Sequence, residues 1–562
     1  MDGHTKAAHV ASYLFVPDDR QLFRWSGDHR TWDHVRLRVA HLAAKLRAQI
    51  NVGDRVCTLA LTTADHLEVL LAITAAGGIA APLNWRWSRQ EVEYAVRLLG
   101  AKLLIADDHC WRLASSVGGQ RLPPLTKLSS MIPARLPSTT LHFFTLQQPP
   151  DASAFIIFTS GTTGPARAAV LTHDALDFQC RQKQLVCGYH RGDVYLHTSP
   201  LFHVGGLCSA LAMLRAGATH VFFPPPSAPT FSASMTLQTI QTHNVTSFIA
   251  VPTMIVDMIG CAIGKRQSQK QALSISSVTN ILVGAGGLSD CHVAELSHLF
   301  PNAALWSAYG MTECCSSITF ARLPIHVSID RNALDASMVY VGTPPAGIEI
   351  KISGQPSVQQ RDLGAEGIGE ILTRGPHVML RYWNDADHDD TDAVFDMTSG
   401  DGSPWLRTGD MGWMDPQGHV WLVGRIKDVI KSGGENVPAA RVERTLMSHP
   451  SVAAAAAVGL PDPRLGERVA AAVVLTHNGL SWCGESIQIV SEHTVRSCTQ
   501  SSVDGKLLQD HCRSVGLPGF MVPRVFLCVK ELPINSTGKV IKSRVRDVML
   551  SALAQRHSAS KL

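Results

Sequence analysis

The stretch RVCTLALTTADHLEVLLAITAAGGIAAPL, residues 55–83, decides the fold class. Arg55 to Leu61 is an apolar run of strand length, Ala64 to Ala76 reads as a helix, and the pair Gly77-Gly78 breaks it before a second apolar run, Ile79 to Leu83. Two short apolar strands joined through a helix make a strand–helix–strand unit, the building block of a parallel sheet. The alternation recurs further along. Glu91 to Leu99 is helical in period, Leu103 to Ala106 is a buried-strand run, and His220 to Phe223 and Phe248 to Val251 flank another helical stretch. A layered α/β architecture with largely parallel sheets follows.

Past residue 340 the pattern changes to short alternating segments punctuated by glycine, such as Glu370 to Arg374 and His419 to Val423. Asp415-Pro-Gln-Gly418 supplies turn chemistry between them. This part reads as a small antiparallel sheet or barrel. Beyond Gly424 the chain turns charged at Arg425-Ile-Lys-Asp428, and a helix over Ala439 to Ser448 opens another unit, which puts a domain boundary near Arg425. Residues 476–505, rich in Ser, Thr and Gly, read as a surface insertion in the last domain.

At 562 residues the chain exceeds what one core serves, and 45% hydrophobic with 17% charged residues is ordinary for globular domains. A net charge of only +4, spread along the sequence, argues against a nucleic-acid binder. The 13 cysteines include no CxxC pair, and Cys314 and Cys315 lack zinc-site spacing, so reduced structural thiols are expected. The amino terminus lacks a secretory apolar run, and the most apolar run, Val452 to Leu460, is far short of the roughly 20 residues that span a bilayer. A soluble protein is expected. Ser560-Lys561-Leu562 is the tripeptide that peroxisomal import receptors read, so a peroxisomal location and a receptor partner are expected.

Five segments carry chemistry. Phe158-Thr-Ser-Gly-Thr-Thr-Gly164 follows an apolar strand, and its glycines and hydroxyls let backbone N–H groups converge on phosphate oxygens. The GxxxxGK[ST] pattern of other phosphate loops is absent. Ser307-Ala-Tyr-Gly-Met-Thr-Glu313 places an aromatic, a hydroxyl and a carboxylate at a strand end, where α/β sheets bind ligands, and the carboxylate of Glu313 suits Mg²⁺. Trp405-Leu-Arg-Thr-Gly-Asp410, Gly424 to Asn436, and Leu532-Pro-Ile-Asn-Ser-Thr-Gly-Lys539 complete the series.

In this order the five segments resemble the adenylate-forming superfamily of acyl-CoA synthetases, luciferases and peptide-synthetase adenylation domains, over roughly residues 50–548. The resemblance implies an ATP-dependent, AMP-forming acid-thiol ligase using Mg²⁺ and coenzyme A. It also implies a multidomain α/β fold: an adenylation (AMP-binding) region over 1–424, built from two layered α/β subdomains and a small β-barrel, and a mobile α+β lid over 425–562. Carried over residue by residue, Thr159, Ser160, Gly161, Thr162, Thr163 and Gly164 would hold the β- and γ-phosphates. Gly284, Gly286 and Gly287 would line the adenine pocket, Tyr309 would stack on adenine, and Thr312 would touch the α-phosphate. Glu313 would position Mg²⁺, Asp410 and Arg425 would bind the ribose, and His203 would sit beside the acyl group. Lys427 would be the hinge, with Lys431, Gly433 and Gly434 in a loop lining the pantetheine tunnel after the lid swings. Lys539, in a Ser-Thr-Gly-Lys loop, is the cation expected to stabilise charge at the attacked α-phosphorus. One departure stands out: after Pro165 the usual Pro-Lys-Gly is replaced by Ala166-Arg167-Ala168, so a planar guanidinium stands in for a lysine.

The segments Ala81 to Ser88, Asp193 to Gly206, Ser307 to Phe320 and Thr373 to Trp383, with the insertion at 476–505, are similar to the plant and algal 2-succinylbenzoate-CoA ligases of phylloquinone synthesis. That acid carries a second carboxylate, and His197, Thr198 and Ser199 are candidate donors to it. A peroxisomal ligase for fatty or hydroxycinnamic acids, a luciferase-like oxidase and a non-catalytic nucleotide-binding protein are the alternatives. A chloroplast pool is the alternative location.

Overall fold

The structure is a computed structural model describing residues 9–15, 20–25, 28–117, 123–132, 149, 151–159, 166–224, 231–269, 273–284, 286–288, 290–324, 338–353, 367–383, 394–397, 404–476, 481–483, 487–489, 502–534 and 539–559. Two large sheets dominate it. The first has eight strands in the order 319–323, 304–309, 280–284, 247–250, 194–196, 219–221, 21–25 and 28–31, parallel except at its two edges. The second has seven, in the order 381–382, 168–172, 153–158, 79–82, 55–59, 103–106 and 125–127. Its strands run parallel except for 168–172, which is antiparallel to both of its neighbours.

The apolar runs of the inner strands have a common cause, because each sheet is covered on both faces. Val56 and Ile157 face a core shared with the helices Trp32–Arg47, Ala64–Ala75, His173–Cys187 and Val204–Ala216, which lie between the sheets. Their neighbours Cys57 and Ile156 point the other way, onto the helix Arg89–Leu98. This is the period-two alternation of a strand. The outer face of the first sheet is covered by Ala233–His243, Pro252–Gln269 and Asp290–Leu299. The sandwiched helix Ala64–Ala75 is buried on all sides, which explains its apolar character around the whole circumference. Thr63 caps it, accepting from the His66 N–H.

A third sheet is wholly antiparallel, in the order Val339–Gly342, Val420–Arg425, Trp405–Met414, Gly369–Arg374, Glu349–Ile352, with Phe395–Asp396 paired to Trp405–Met414. Its last strand in sequence ends at Arg425. The fourth sheet begins at Val429–Ser432 and contains Glu435–Pro438, Val452–Asp462, Gly466–Leu475, Val525–Cys528 and Ile487–Ile489. Between the two lies a single 3-10 turn, Ile426–Asp428.

Two expectations change. The stretch read as a surface insertion contributes structure: Ile487–Ile489 pairs with Val525–Cys528, and Ser481–Trp482 pairs with Ser502–Val503. Polar composition hid these short strands, although Ser502 and Val503 are buried. Among the cysteines read as reduced, Cys483 is disulfide-bonded. No described helix is long and apolar enough to cross a membrane.

Candidate active site

The site is built at the carboxyl end of the strand Ala304–Tyr309, where the chain must reverse to become the antiparallel strand Thr319–Leu323. Gly310 makes that reversal possible, because a Cβ there would lie 1.8 Å from the carbonyl oxygen of Ser316. Beyond the 3-10 turn Thr312–Cys314, Cys315 and Ser316 adopt positive φ angles of 50° and 112°, a strained conformation for residues with side chains. The surroundings hold it. Ile318 N–H donates to the Tyr309 carbonyl at 2.7 Å, Ser316 N–H to Met311 at 3.2 Å, and the buried Gln179 amide to the Cys314 carbonyl at 3.0 Å. Gly310→Ala is expected to lower stability by about 1–3 kcal/mol or more through overpacking, read as a fall in Tm, with loss of ATP-dependent activity.

The turn buries Glu313, which is 7% exposed. Its Oε1 accepts the Tyr382 hydroxyl at 2.6 Å, and its carbonyl accepts the Met379 N–H at 2.8 Å. Tyr309, one turn earlier, donates its hydroxyl to Asp410 Oδ2 at 2.9 Å. Asp410 faces Arg425 across paired strands of the third sheet, with Arg425 Nε 3.3 Å from Oδ1. Burial raises the Asp410 carboxyl above its ordinary pKa, while Arg425, the Tyr309 hydrogen bond and Lys539 oppose that rise. The network thus joins two sheets.

Lys539, from the last unit, completes the group. It stays open to solvent, yet enough protein surrounds its ammonium that desolvation depresses its pKa; Arg425 adds to the depression, and Asp410 and Glu313 counter it. Its charge also reaches His203, whose pKa falls to about 4 through burial first and Lys539 second. His203 is therefore neutral at physiological pH. Its Nδ1 accepts the Gly205 N–H at 3.2 Å as the cap of helix Val204–Ala216, which leaves the proton on Nε2.

The phosphate loop springs from a hairpin. Strands Ser153–Phe158 and Ala168–Thr172 pair antiparallel, and Thr159 N–H donates to the Arg167 carbonyl at 2.7 Å, pinching the loop at its base. Ser160, Gly161, Thr162, Thr163 and Gly164 lie outside the described residues, as do 535–538 before Lys539 and Ser560-Lys561-Leu562. Gly284 ends the strand beside Ala308, and a Cβ on it would meet nothing within 4 Å, so it borders open space; Gly286 sits against Pro252 and Gly287 against Val339.

Other expected residues lie elsewhere. Lys427 is exposed on the 3-10 turn between the third and fourth sheets. Lys431 stands on the exposed hairpin formed by Val429–Ser432 and Glu435–Pro438. Gly433 and Gly434 form its two-residue turn, with φ of 62° and 87°, the geometry that requires glycine. Lys539 and this hairpin are not brought together. His197 and Thr198 make bonds inside the sheet: His197 Nε2 pairs with His220 Nδ1 at 2.8 Å, and the Thr198 hydroxyl donates to the Ile249 carbonyl, while His197 Nδ1 is buried without a hydrogen-bond partner among the described residues. Sequence reasoning missed Tyr382 and Gln179. Tyr382 lies in a segment quoted only for its likeness to relatives, and Gln179 has no local signal at all.

The residues present fit Mg²⁺ and ATP. Glu313 offers a buried carboxylate with one oxygen held and no Lys or Arg ion-paired to it among the described residues. The described residues include no cluster of three His, Cys, Asp or Glu groups. One carboxylate plus substrate phosphates is how Mg²⁺ is commonly bound.

The family model described as AMP-binding enzyme matches residues 15–383, and that of the AMP-binding enzyme C-terminal domain matches 441–539. The chain is 36% identical to the 2-succinylbenzoate–CoA ligase, chloroplastic/peroxisomal, of Arabidopsis thaliana, covering 91% of each chain. It is 30% identical to a feruloyl-CoA synthase of Amycolatopsis, covering 93% of this chain and 94% of that one. Among solved structures, the O-succinylbenzoate coenzyme A synthetase of Bacillus subtilis in complex with ATP and magnesium ion superposes with a TM-score of 0.74 at 25% identity, over 95% of this chain and 98% of that one.

Proposed function

The chain belongs to the AMP-binding enzyme family, and from that membership we propose that it is an AMP-forming acid-thiol ligase that converts 2-succinylbenzoate to its coenzyme A thioester. The observation that carries the reading is the grouping of two carboxylates, two cations and a phenol: Tyr309 and Arg425 meet Asp410, and Lys539 interacts electrostatically with Asp410, Glu313 and Arg425. The acid is supported by full-length similarity to the Arabidopsis ligase. Phylloquinone synthesis is the proposed context.

In the first half-reaction the substrate carboxylate attacks the α-phosphorus of ATP, forming the acyl–O–P bond and releasing pyrophosphate. Negative charge builds on the phosphoryl oxygens, and a preplaced cation stabilises it without reorganisation. Lys539 is assigned that role. Thr312 donates to the α-phosphate, the pinched loop with Arg167 cradles the β- and γ-phosphates, and the Asp410–Arg425 pair takes the ribose hydroxyls. Gly284, Gly286, Gly287 and Tyr309 border the adenine. Magnesium, when bound at Glu313, would neutralise phosphate charge as a Lewis acid. His203 borders the acyl group as a neutral imidazole. In the second half-reaction the thiol of coenzyme A displaces AMP, after the unit beyond Arg425 turns about Lys427 and brings Lys431, Gly433 and Gly434 to the cleft.

Pyrophosphate exchange across a panel of acids, with thioester detection, tests the proposal. Turnover of 2-succinylbenzoate above ferulate, benzoate and fatty acids is expected; strong turnover of another acid alone would replace the named substrate while keeping the reaction class. A pH profile tests Lys539. A lysine with a depressed pKa loses its charge as pH rises through a value below the ordinary 10.5, so adenylation declines on that alkaline limb. Lys539→Arg keeps a charge throughout and is expected to move the limb upward; coincident limbs would remove Lys539 from the step.

The proposed compartment is the peroxisome. The chloroplastic/peroxisomal designation of the Arabidopsis relative and the tripeptide Ser560-Lys561-Leu562 support it. An import receptor is the partner this requires.

A further inference from the structure

Arg167 stands where the superfamily pattern that the sequence resembles has lysine, and its guanidinium carbon lies 5.2 Å over the ring of Tyr382. Tyr382 is 4% exposed and donates its hydroxyl to Glu313 Oε1 at 2.6 Å, the short length of a hydrogen bond to a charged acceptor. The Tyr382 side chain therefore lies between the two, its ring beneath Arg167 and its hydroxyl on Glu313.

The backbone makes this bridge rigid. Arg381–Tyr382 pairs antiparallel with Ala168–Thr172, the strand that leaves the phosphate loop, with Tyr382 opposite Ala169. Trp383 N–H donates to the Ala168 carbonyl at 2.7 Å and Leu380 N–H to Val170 at 2.9 Å. On the other side Met379 N–H holds the Glu313 carbonyl at 2.8 Å. Residues 379–383 are thus stitched to the loop's return strand and to the turn that carries Glu313.

We propose that Tyr382 is a positioning residue that couples Arg167 to Glu313. The proposal rests on the ATP-dependent reading of the site. A glutamate carboxylate turns freely about its last torsion, and fixing Oε1 orients Oε2 toward the cation that accompanies the phosphates. Arg167 suits the other end better than lysine, because a planar guanidinium can lie on an aromatic face and still donate N–H bonds. The departure at Arg167 then becomes one part of a paired arrangement with Tyr382.

Equilibrium binding of ATP to the full chain, measured by calorimetry at graded Mg²⁺, tests the coupling, with Tyr382→Phe, Arg167→Lys and the double variant compared. Loss of a group that orients a metal ligand typically costs about 10–100-fold in metal affinity. Tyr382→Phe is expected to raise by that factor the Mg²⁺ concentration giving half-maximal enhancement of ATP binding, with metal-free ATP binding unchanged. Arg167→Lys is expected to shift the same midpoint in the same direction by less, and the double variant to match Tyr382→Phe, because both act through one phenol. Arg167 is exposed, so its variant reports even if Tyr382→Phe fails to fold. Unmoved Mg²⁺ midpoints, or fully additive shifts, overturn the coupling alone. A wild-type chain that binds no ATP at any Mg²⁺ concentration overturns the proposed function, and the coupling with it.

Discussion

Lys539→Ala lowers acyl-adenylate formation by about 10²–10³-fold, the cost of removing one preorganised charge stabiliser, while thioester formation from a supplied acyl-adenylate continues. The asymmetry follows from where charge develops. Attack at the α-phosphorus adds negative charge where Lys539 interacts with Asp410, Glu313 and Arg425, whereas in the proposed second half-reaction the thiol attacks once that lysine has left. Single-turnover pyrophosphate release measures the first step, and thioester yield from synthetic adenylate measures the second. Equal loss of both would mean that Lys539 supports the fold and not one half-reaction.

Lys427→Pro leaves adenylation intact and lowers thioester formation on the order of tenfold or more, a barrier increase of about 1.4 kcal/mol or more. Proline fixes φ near the value of the 3-10 turn Ile426–Asp428, so the present arrangement with Lys539 in the cleft tolerates it. A large rotation at this position does not. The turn is otherwise lightly held: Asp428 pairs with Lys542 at 3.1 Å, and Lys542 with Glu443 at 3.0 Å, both within the last unit, so they would travel with it. Separate assays of the two half-reactions decide the matter. Thioester formation undiminished in Lys427→Pro would place the pivot elsewhere.

Local pattern carried most of the fold. The runs at 55–61, 64–76 and 79–83 became Arg55–Leu59, Ala64–Ala75 and Ile79–Pro82, because a strand buried on both faces and a helix buried all round each leave an unbroken apolar signature. The Asp415–Gly418 turn formed as its chemistry required, with Gly418 at φ 84°. Strands of two or three residues are too short to leave a periodic signature, which is why Ile487–Ile489 and Ser481–Trp482 read as insertion. His197 and Thr198, read as candidate donors to the substrate, have partners within the sheet at His220 and Ile249 that no local pattern signals, and His197 Nδ1 is buried without one among the described residues.

The sequence by itself determined the reaction class. Motifs such as Ser307 to Glu313 and Leu532 to Lys539 are contiguous, and their order survives without knowledge of any contact. Only the tertiary structure decided how those groups act on one another. Tyr309 reaches Asp410 across 101 residues, Tyr382 reaches Glu313 across 69, and Gln179 reaches Cys314 across 135. Hydrogen bonds of that separation depend on how two sheets and a third antiparallel unit pack, and side-chain identity along the chain holds no record of it. Arg167 marks the divide: in sequence it is a lysine lost from a phosphate loop, and in the folded protein it lies on the ring that holds Glu313.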